Sequence, residues 1–413
     1  MRSKPSSYLT TAVLAIFALA MLLVHGAGAA STTKVIYSFA GDEDGEYPDT
    51  ELVMDHSGNL YGSSVLGGDF GSGTVFQLAP GRTHTVLYSF TGGTDGAEAY
   101  GGVTLDADGN LYGATVAGGT GQGCEGGCGV VYRLTNNDGG TWTETVLHNF
   151  TGGNDGSGPG SAPSIDRAGN LYGMTPTGGA YSAGTIYRLH PRPDGTWKFN
   201  IVHAFTGGDD GLGGSKGRMI FDDRGHIFGA STAGGANGAG VIFELKRSRS
   251  GWNLKVLYAF KGQPDAGFPY GSLLFDQSGN LFGTSYYDGA NDLGAVYELS
   301  PQPGGLWKEK VLYSFKGGSD GANAISGLLF GPNGEMYGTT SEGGAPGCGC
   351  GTIFKMTPGN HGTWTESVVH AFTGTPDGSY PYDGMVADGA GNYFGTTVSG
   401  GADDEGSIYR FTP

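Results

Sequence analysis

Positive charge is scarce in this sequence. Of 413 residues, 22 are Lys or Arg against 39 Asp or Glu, a formal net charge of -17. That balance argues against nucleic acid and anionic membrane surfaces as partners, because both are bound through clustered cations. Helical periodicity is also missing: beyond the first thirty residues, apolar side chains do not recur at the spacing of an amphipathic helix. Cysteine is limited to four residues in two local pairs, Cys124 with Cys128 and Cys348 with Cys350. No His neighbours either pair, which argues against a zinc site, and even-numbered local pairs in an exported chain read as disulfides. A bridge across the single residue between Cys348 and Cys350 is expected to be strained. No Gly-rich stretch carries the Gly-Lys-Ser/Thr ending of a phosphate loop, and neither a G-x-S-x-G elbow nor a Cys–His pairing is evident.

One long apolar run exists, "LTTAVLAIFALAMLLV", preceded by Arg2 and Lys4 and followed by "HGAGAA". These are the parts of a secretory signal peptide over residues 1–30, with cleavage expected after Ala29 or Ala30. The run is short for a membrane span, which needs roughly 20 apolar residues. No Cys follows it, so a lipid anchor is not expected. Loss of Arg2 and Lys4 takes the mature chain, residues 31–413, from -17 to -19. A secreted or periplasmic monomer is the expectation.

What is abundant is glycine, 83 residues, placed with great regularity. The residue in the Asn position of "GNLYG" recurs as Asn59, Asn110, Asn170, His226, Asn280, Glu335 and Asn392, at spacings of 51, 60, 56, 54, 55 and 57. Each of the seven copies holds four short β-like stretches, here named A to D, separated by turn chemistry. In the second copy they are 101–106, 110–116, 129–134 and 145–150. The third stretch ("GTVFQL", "GVVYRL", "GTIYRL" and so on) is apolar on both faces, as a sheet packed between two others requires. Seven four-stranded units without helices predict an all-β fold, a seven-bladed β-propeller. The chain after residue 30 opens on a D-type stretch, "KVIYSF", and its last copy supplies only A, B and C. The N-terminal strand is therefore expected to join the C-terminal blade and close the ring, which removes two exposed sheet edges.

The repeated "GNLYG…GG…GTVF" and "VLYSF" pattern resembles the Gloeo-Verruco repeat of the bacterial choice-of-anchor tandem-repeat proteins over residues 34–413. The resemblance implies an exported repeat protein of undefined activity, in a family named for variable C-terminal anchoring segments. Here the chain ends at "IYRFTP", so release or periplasmic residence is expected rather than surface anchoring.

Candidate residues fall into repeated and singular sets. The D-x-x-G-N acids, Asp55, Asp106, Asp166, Asp222, Asp276 and Asp388, read as A–B turn builders. A second acid recurs in the loop from D to the next A: Asp44, Asp95, Asp155, Asp210, Asp265, Asp320 and Asp377. These loops share a face with the variable B–C loops, so that face is the expected binding surface. Type I turn geometry and ligand binding are both open for this set. Calcium is considered at the first loop through Asp42, Asp44 and Asp49, although such a site needs six to eight oxygens. No other cofactor is expected. Trp142, Trp197, Trp252, Trp307 and Trp364 occupy one slot before strand D and favour packing over sugar stacking. His148, His203 and His370 replace Tyr in strand D and are not expected to meet. Three singular departures lie in or beside strand A: Glu51, Arg218 and Asp383. The leading expectation is a non-enzymatic exported scaffold that binds a polysaccharide or an extracytoplasmic protein through its loop face. The alternative is a polysaccharide- or lactone-acting enzyme, which needs ionisable groups from different blades to meet near the axis.

Overall fold

The computed structural model describes residues 31–137, 140–249 and 251–413, and the signal peptide expected over 1–30 lies outside them. Seven antiparallel sheets, six of four strands and one of five, form a seven-bladed β-propeller. No α-helix occurs among the described residues. In blade 2 strands A to D are Val103–Leu105, Leu111–Thr115, Val130–Asn136 and Trp142–Asn149. Strand D is longer than the sequence pattern suggests, because the C–D hairpin continues to an Asn136↔Trp142 pair. The reason is packing: Trp142 lies edge-on to Tyr61 of the preceding blade, and Trp197 and Trp252 do the same to Tyr112 and Tyr172. The Trp slot therefore seals one blade against the next.

The core sits between blades rather than at a centre. Tyr61, Val75 and Phe90 of blade 1 pack with Val103, Leu111, Val130, Tyr132 and Leu134 of blade 2, and the arrangement repeats around the ring. In blades 1, 5, 6 and 7 a strand-B hydroxyl ties the blade to the segment leading into strand A of its successor. Ser63 Oγ donates to the carbonyl of Ala99 at 2.7 Å, and Thr284 Oγ1 donates to that of Ser326 at 2.7 Å. Thr396 Oγ1 makes the same bond from blade 7 to the Thr50 carbonyl of blade 1 at 3.0 Å. Blade 7 comprises Val386–Ala387, Tyr393–Thr397 and Ser407–Thr412, and its fourth strand is Thr32–Ser38, paired from Thr32↔Thr412 to Ser38↔Ser407. Both cysteine pairs are brought into disulfide contact, with Cα–Cα distances of 5.2 Å for Cys124–Cys128 and 5.1 Å for Cys348–Cys350.

Candidate functional site: the axial mouth

The seven acids of the D–A loops are held inside their own blades. Tyr37, Tyr88, Tyr258 and Tyr313 donate their hydroxyls to Asp44, Asp95, Asp265 and Asp320 at 2.6 to 2.9 Å. In the other three blades His148, His203 and His370 stand 3.1, 2.9 and 3.0 Å from Asp155, Asp210 and Asp377. The backbone amide four residues before each acid donates to the same carboxylate, as from Thr91 to Asp95. The strand-D slot thus takes a flat ring with a polar tip because that tip fastens the next loop. The acids are spread around the ring rather than gathered, and so are the three His residues. Asp42, Asp44 and Asp49 do not converge either: Asp44 is engaged by Tyr37 and Ala40, while Asp49 lies at the axis. Among the described residues no group of three or more His, Cys, Asp or Glu is placed to share a metal ion.

Convergence occurs instead where the seven A strands begin. Aligned on the D-x-x-G-N turn, the position of Asp49 holds Asp49, Tyr100, Gly160, Lys216, Tyr270, Ile325 and Tyr382. Lys216 of blade 4 pairs with the buried Asp49 of blade 1. Its ammonium also lies 5.1 Å from the ring centre of Tyr382 and 5.8 Å from that of Tyr100, within the range of cation–π attraction. Two residues deeper, Arg218 Nε meets Glu51 Oε2 at 3.0 Å, and its other nitrogens donate to Thr104 Oγ1, the Glu51 carbonyl and the Val103 carbonyl. Arg218 is thus a strut from blade 4 to blades 1 and 2.

Asp383 completes the cluster from blade 7. Burial, with the nearby Asp49 carboxylate adding to it, holds the Asp383 carboxyl well above the usual carboxylate range, and Lys216 offsets this only in part. Burial alone would lower Lys216, but Asp49 and Asp383 outweigh it and keep the ammonium protonated. Asp49 Oδ1 and Asp383 Oδ2 are buried and accept no hydrogen bond. Glu51, Arg218 and Asp383, the three singular departures in the sequence, therefore belong to one axial constellation with Asp49 and Lys216.

Tyrosines rim this constellation on the loop face. Tyr286 stands 5.5 Å from Tyr270 and 4.4 Å from Tyr287, and Tyr380 stands 6.0 Å from Tyr382. Burial, then Tyr287 and the Glu342 carboxylate, push the Tyr286 hydroxyl up to about 12. The rim is also conformationally strained. Tyr47, Glu98, Phe268, Asn323 and Tyr380, at corresponding loop positions, have φ of 55° to 59°, a region that bulky L-residues avoid. Each donates its amide to the preceding blade, as Tyr380 does to the Cys350 carbonyl at 2.9 Å and Phe268 to the Ala239 carbonyl at 2.7 Å. Strain of this type costs about 1–3 kcal/mol per residue and gathers at functional surfaces.

Sequence reasoning overlooked Lys216, the axial tyrosines and the strained rim. The clue was available in the copies themselves: the Asp49 position reads Asp, Tyr, Gly, Lys, Tyr, Ile, Tyr beside strands whose chemistry scarcely changes.

The model of the Gloeobacter/Verrucomicrobia repeat matches residues 23–124, 118–349 and 253–413. The chain belongs to that repeat family. No curated protein sequence matches it. Among solved structures, the extracellular domain of a one-component system from B. thetaiotaomicron is 11% identical with a TM-score of 0.53. That match covers 91% of this repeat protein but 39% of the other chain, and at this identity it shows the propeller fold alone. A protein of unknown function from Dyadobacter fermentans (12% identity, TM-score 0.48) covers 93% of this chain and 98% of its own. A luciferin-regenerating enzyme (12%, TM-score 0.46) covers 93% and 96%.

Proposed function

We propose that this repeat-family propeller is exported and binds a carbohydrate chain at the axial mouth of its loop face. The observation that carries this reading is the ring of Tyr100, Tyr270, Tyr286 and Tyr382 around the Lys216–Asp49 pair. Tyrosine offers a flat apolar face with a polar edge, which suits the C–H face and hydroxyls of a sugar ring, and the charged pair supplies hydrogen bonds that fix orientation. Glu98 and Glu342 lie beside Tyr100 and Tyr382, so neutral sugars suit the mouth better than acidic ones. A protein partner is less well matched. Stable protein interfaces cover about 800 Å² per partner, whereas of the exposed large apolar residues only Tyr287 and Tyr380 lie at the rim, and Phe70, Tyr181, Ile201, Leu212 and Leu306 lie in other parts of the chain. Isothermal titration of the mature chain with neutral oligosaccharides tests the reading. Saturable binding that Tyr382→Ala weakens at least tenfold, with the melting temperature kept, is expected. Absence of heat with every sugar tried, or equal binding by the variant, would sink it.

A hydrolytic activity at the same place is the second reading. It is favoured by one observation: Asp383, its carboxyl held well above the usual carboxylate range by burial and by Asp49, lies beside Asp49, and both keep a buried oxygen without a partner. Two neighbouring carboxyls, one of them raised by its surroundings, are the arrangement of a general acid with its stabilising partner. Asp383→Asn should then abolish turnover of a bound glycan while binding survives. Undiminished product release by a folded Asp383→Asn protein would remove this reading.

A further inference from the structure

The axial mouth is not symmetric. At the Asp49 position six blades carry a side chain, whereas blade 3 has Gly160. At the strained rim five blades carry Tyr47, Glu98, Phe268, Asn323 and Tyr380, whereas blades 3 and 4 have only Gly158, Gly213 and Gly214. Side chains are therefore missing at both levels over one arc of the rim. A hollow of about 200 Å³ opens there, with Tyr270 and Lys216 in its lining and Pro176 and Thr232 beside the glycines.

We infer that this hollow seats one terminal sugar ring of a neutral glycan, stacked on Tyr270 and hydrogen-bonded by Lys216. The inference rests on the carbohydrate reading above and gives it a location and a size. Three features argue for it. The volume lies below the ~300 Å³ at which sites for drug-sized ligands begin, so it accepts one small ring and not a segment of chain. An ammonium carries three donors, and among the described residues Asp49 is the one acceptor hydrogen-bonded to Lys216 Nζ, so donors remain for hydroxyl oxygens. Beneath the mouth the Arg218 strut crosses from blade 4 to blades 1 and 2, so a glycan does not thread along the axis and enters by its end. The remainder of the chain leaves outward over the rim.

Gly160 supplies a direct test. Its φ lies outside the left-handed region, and a Cβ added there meets nothing within 4 Å. Gly160→Tyr installs the residue that blades 2, 5 and 7 carry at this position, so the variant is expected to fold while its ring fills the hollow. Thr232→Trp fills the hollow from blade 4 instead of blade 3 and serves if Gly160→Tyr misfolds. Wild type and variants are titrated calorimetrically with cellotriose, xylotriose, maltotriose and triacetylchitotriose, with melting temperature as the folding control. At least a tenfold loss of affinity for whichever trisaccharide binds, at an unchanged melting temperature, is expected. Wild-type protein that binds none of these sugars defeats the carbohydrate reading itself. Wild-type binding matched within twofold by a folded variant overturns the seat and leaves the broader reading intact. A polysaccharide of the same linkage is expected to saturate at one protein per chain, and several proteins per chain would overturn end-on entry.

Discussion

At the scale of single residues, one steric relation explains much of the repeated sequence. A Cβ on Gly113, the second glycine of "GNLYG", would lie 2.1 Å from the hydroxyl of Tyr132, because the strand-C aromatic lies across strand B at that point. The aromatic is Tyr132, Tyr187, Tyr297 or Tyr409 in four blades and Phe76, Phe243 or Phe354 in three, and the four hydroxyls are buried without a partner. An unsatisfied buried hydroxyl costs about 1–3 kcal/mol. Replacing all four tyrosines by Phe should therefore leave the melting temperature unchanged or raise it, and a fall of several degrees in a thermal melt would show that these hydroxyls have partners. The A–B turn gives a second relation. Asp55 accepts from the Ser57 and Asn59 amides, from Asn59 Nδ2 and from Tyr61, so the turn-building role of the D-x-x-G-N acids was readable directly from the motif. In blade 6 the acid is absent as Gly331, and Glu335, at the Asn position, takes over by accepting from the Asn333 amide at 2.9 Å. Lys216 was not readable in the same way, because its meaning depends on Asp49, distant in the chain and adjacent only once the ring exists.

At the scale of elements, strand D does more than its pattern suggests. Each strand C–D pairing carries a register shift, as between Val131 and Tyr132 opposite His148 and Val146, and a bulge of this kind turns a side chain out of the alternating order. That accounts for His148 reaching the loop that holds Asp155. Strand identity and order were readable because hydrophobic alternation and Gly-rich turns are local signals; the bulge was not, since it leaves composition unchanged. Neighbouring D strands also place Glu144, Glu309 and Glu366 against Asp95, Asp265 and Asp320 of the preceding blade. Burial first, and then the facing Asp, raise these carboxyls to about 7, 8 and 7. The folded state consequently holds protons that the unfolded chain has released above its pKa of about 4.3. Their stabilising contribution is complete below that value and disappears as pH climbs through 7 to 8. His84, pushed by burial to about 4, acts in the opposite sense between about 4 and 6.5. His148 is lowered as well, also chiefly by burial. Both are common to wild type and variant. Urea unfolding at pH 5 and pH 8.5 should show a smaller loss of stability for the Glu144→Gln/Glu309→Gln/Glu366→Gln protein than for wild type. Equal losses in the two proteins would place the protons elsewhere.

At the scale of the whole molecule, the fold has one seam that differs from the other joints. Six blades are contiguous in sequence, while blade 7 takes its outer strand, Thr32–Ser38, from the start of the chain. Deleting residues 31–38 would leave Ser407–Thr412 as an open strand edge, and such edges pair with other molecules. Light scattering should report more self-association for residues 39–413 than for residues 31–413, and equal scattering with an unchanged melting temperature would show the seam to be dispensable. The axial position beginning with Asp49 has a consequence of another kind. Turns, strand faces and blade contacts are written at other places in each copy, so this place is free to differ seven times over. It amounts to a seven-letter word, Asp-Tyr-Gly-Lys-Tyr-Ile-Tyr, printed on an invariant page. Asp49 and Lys216 are bound to each other across the ring and must be changed as a pair, whereas the other five letters can be respelled singly.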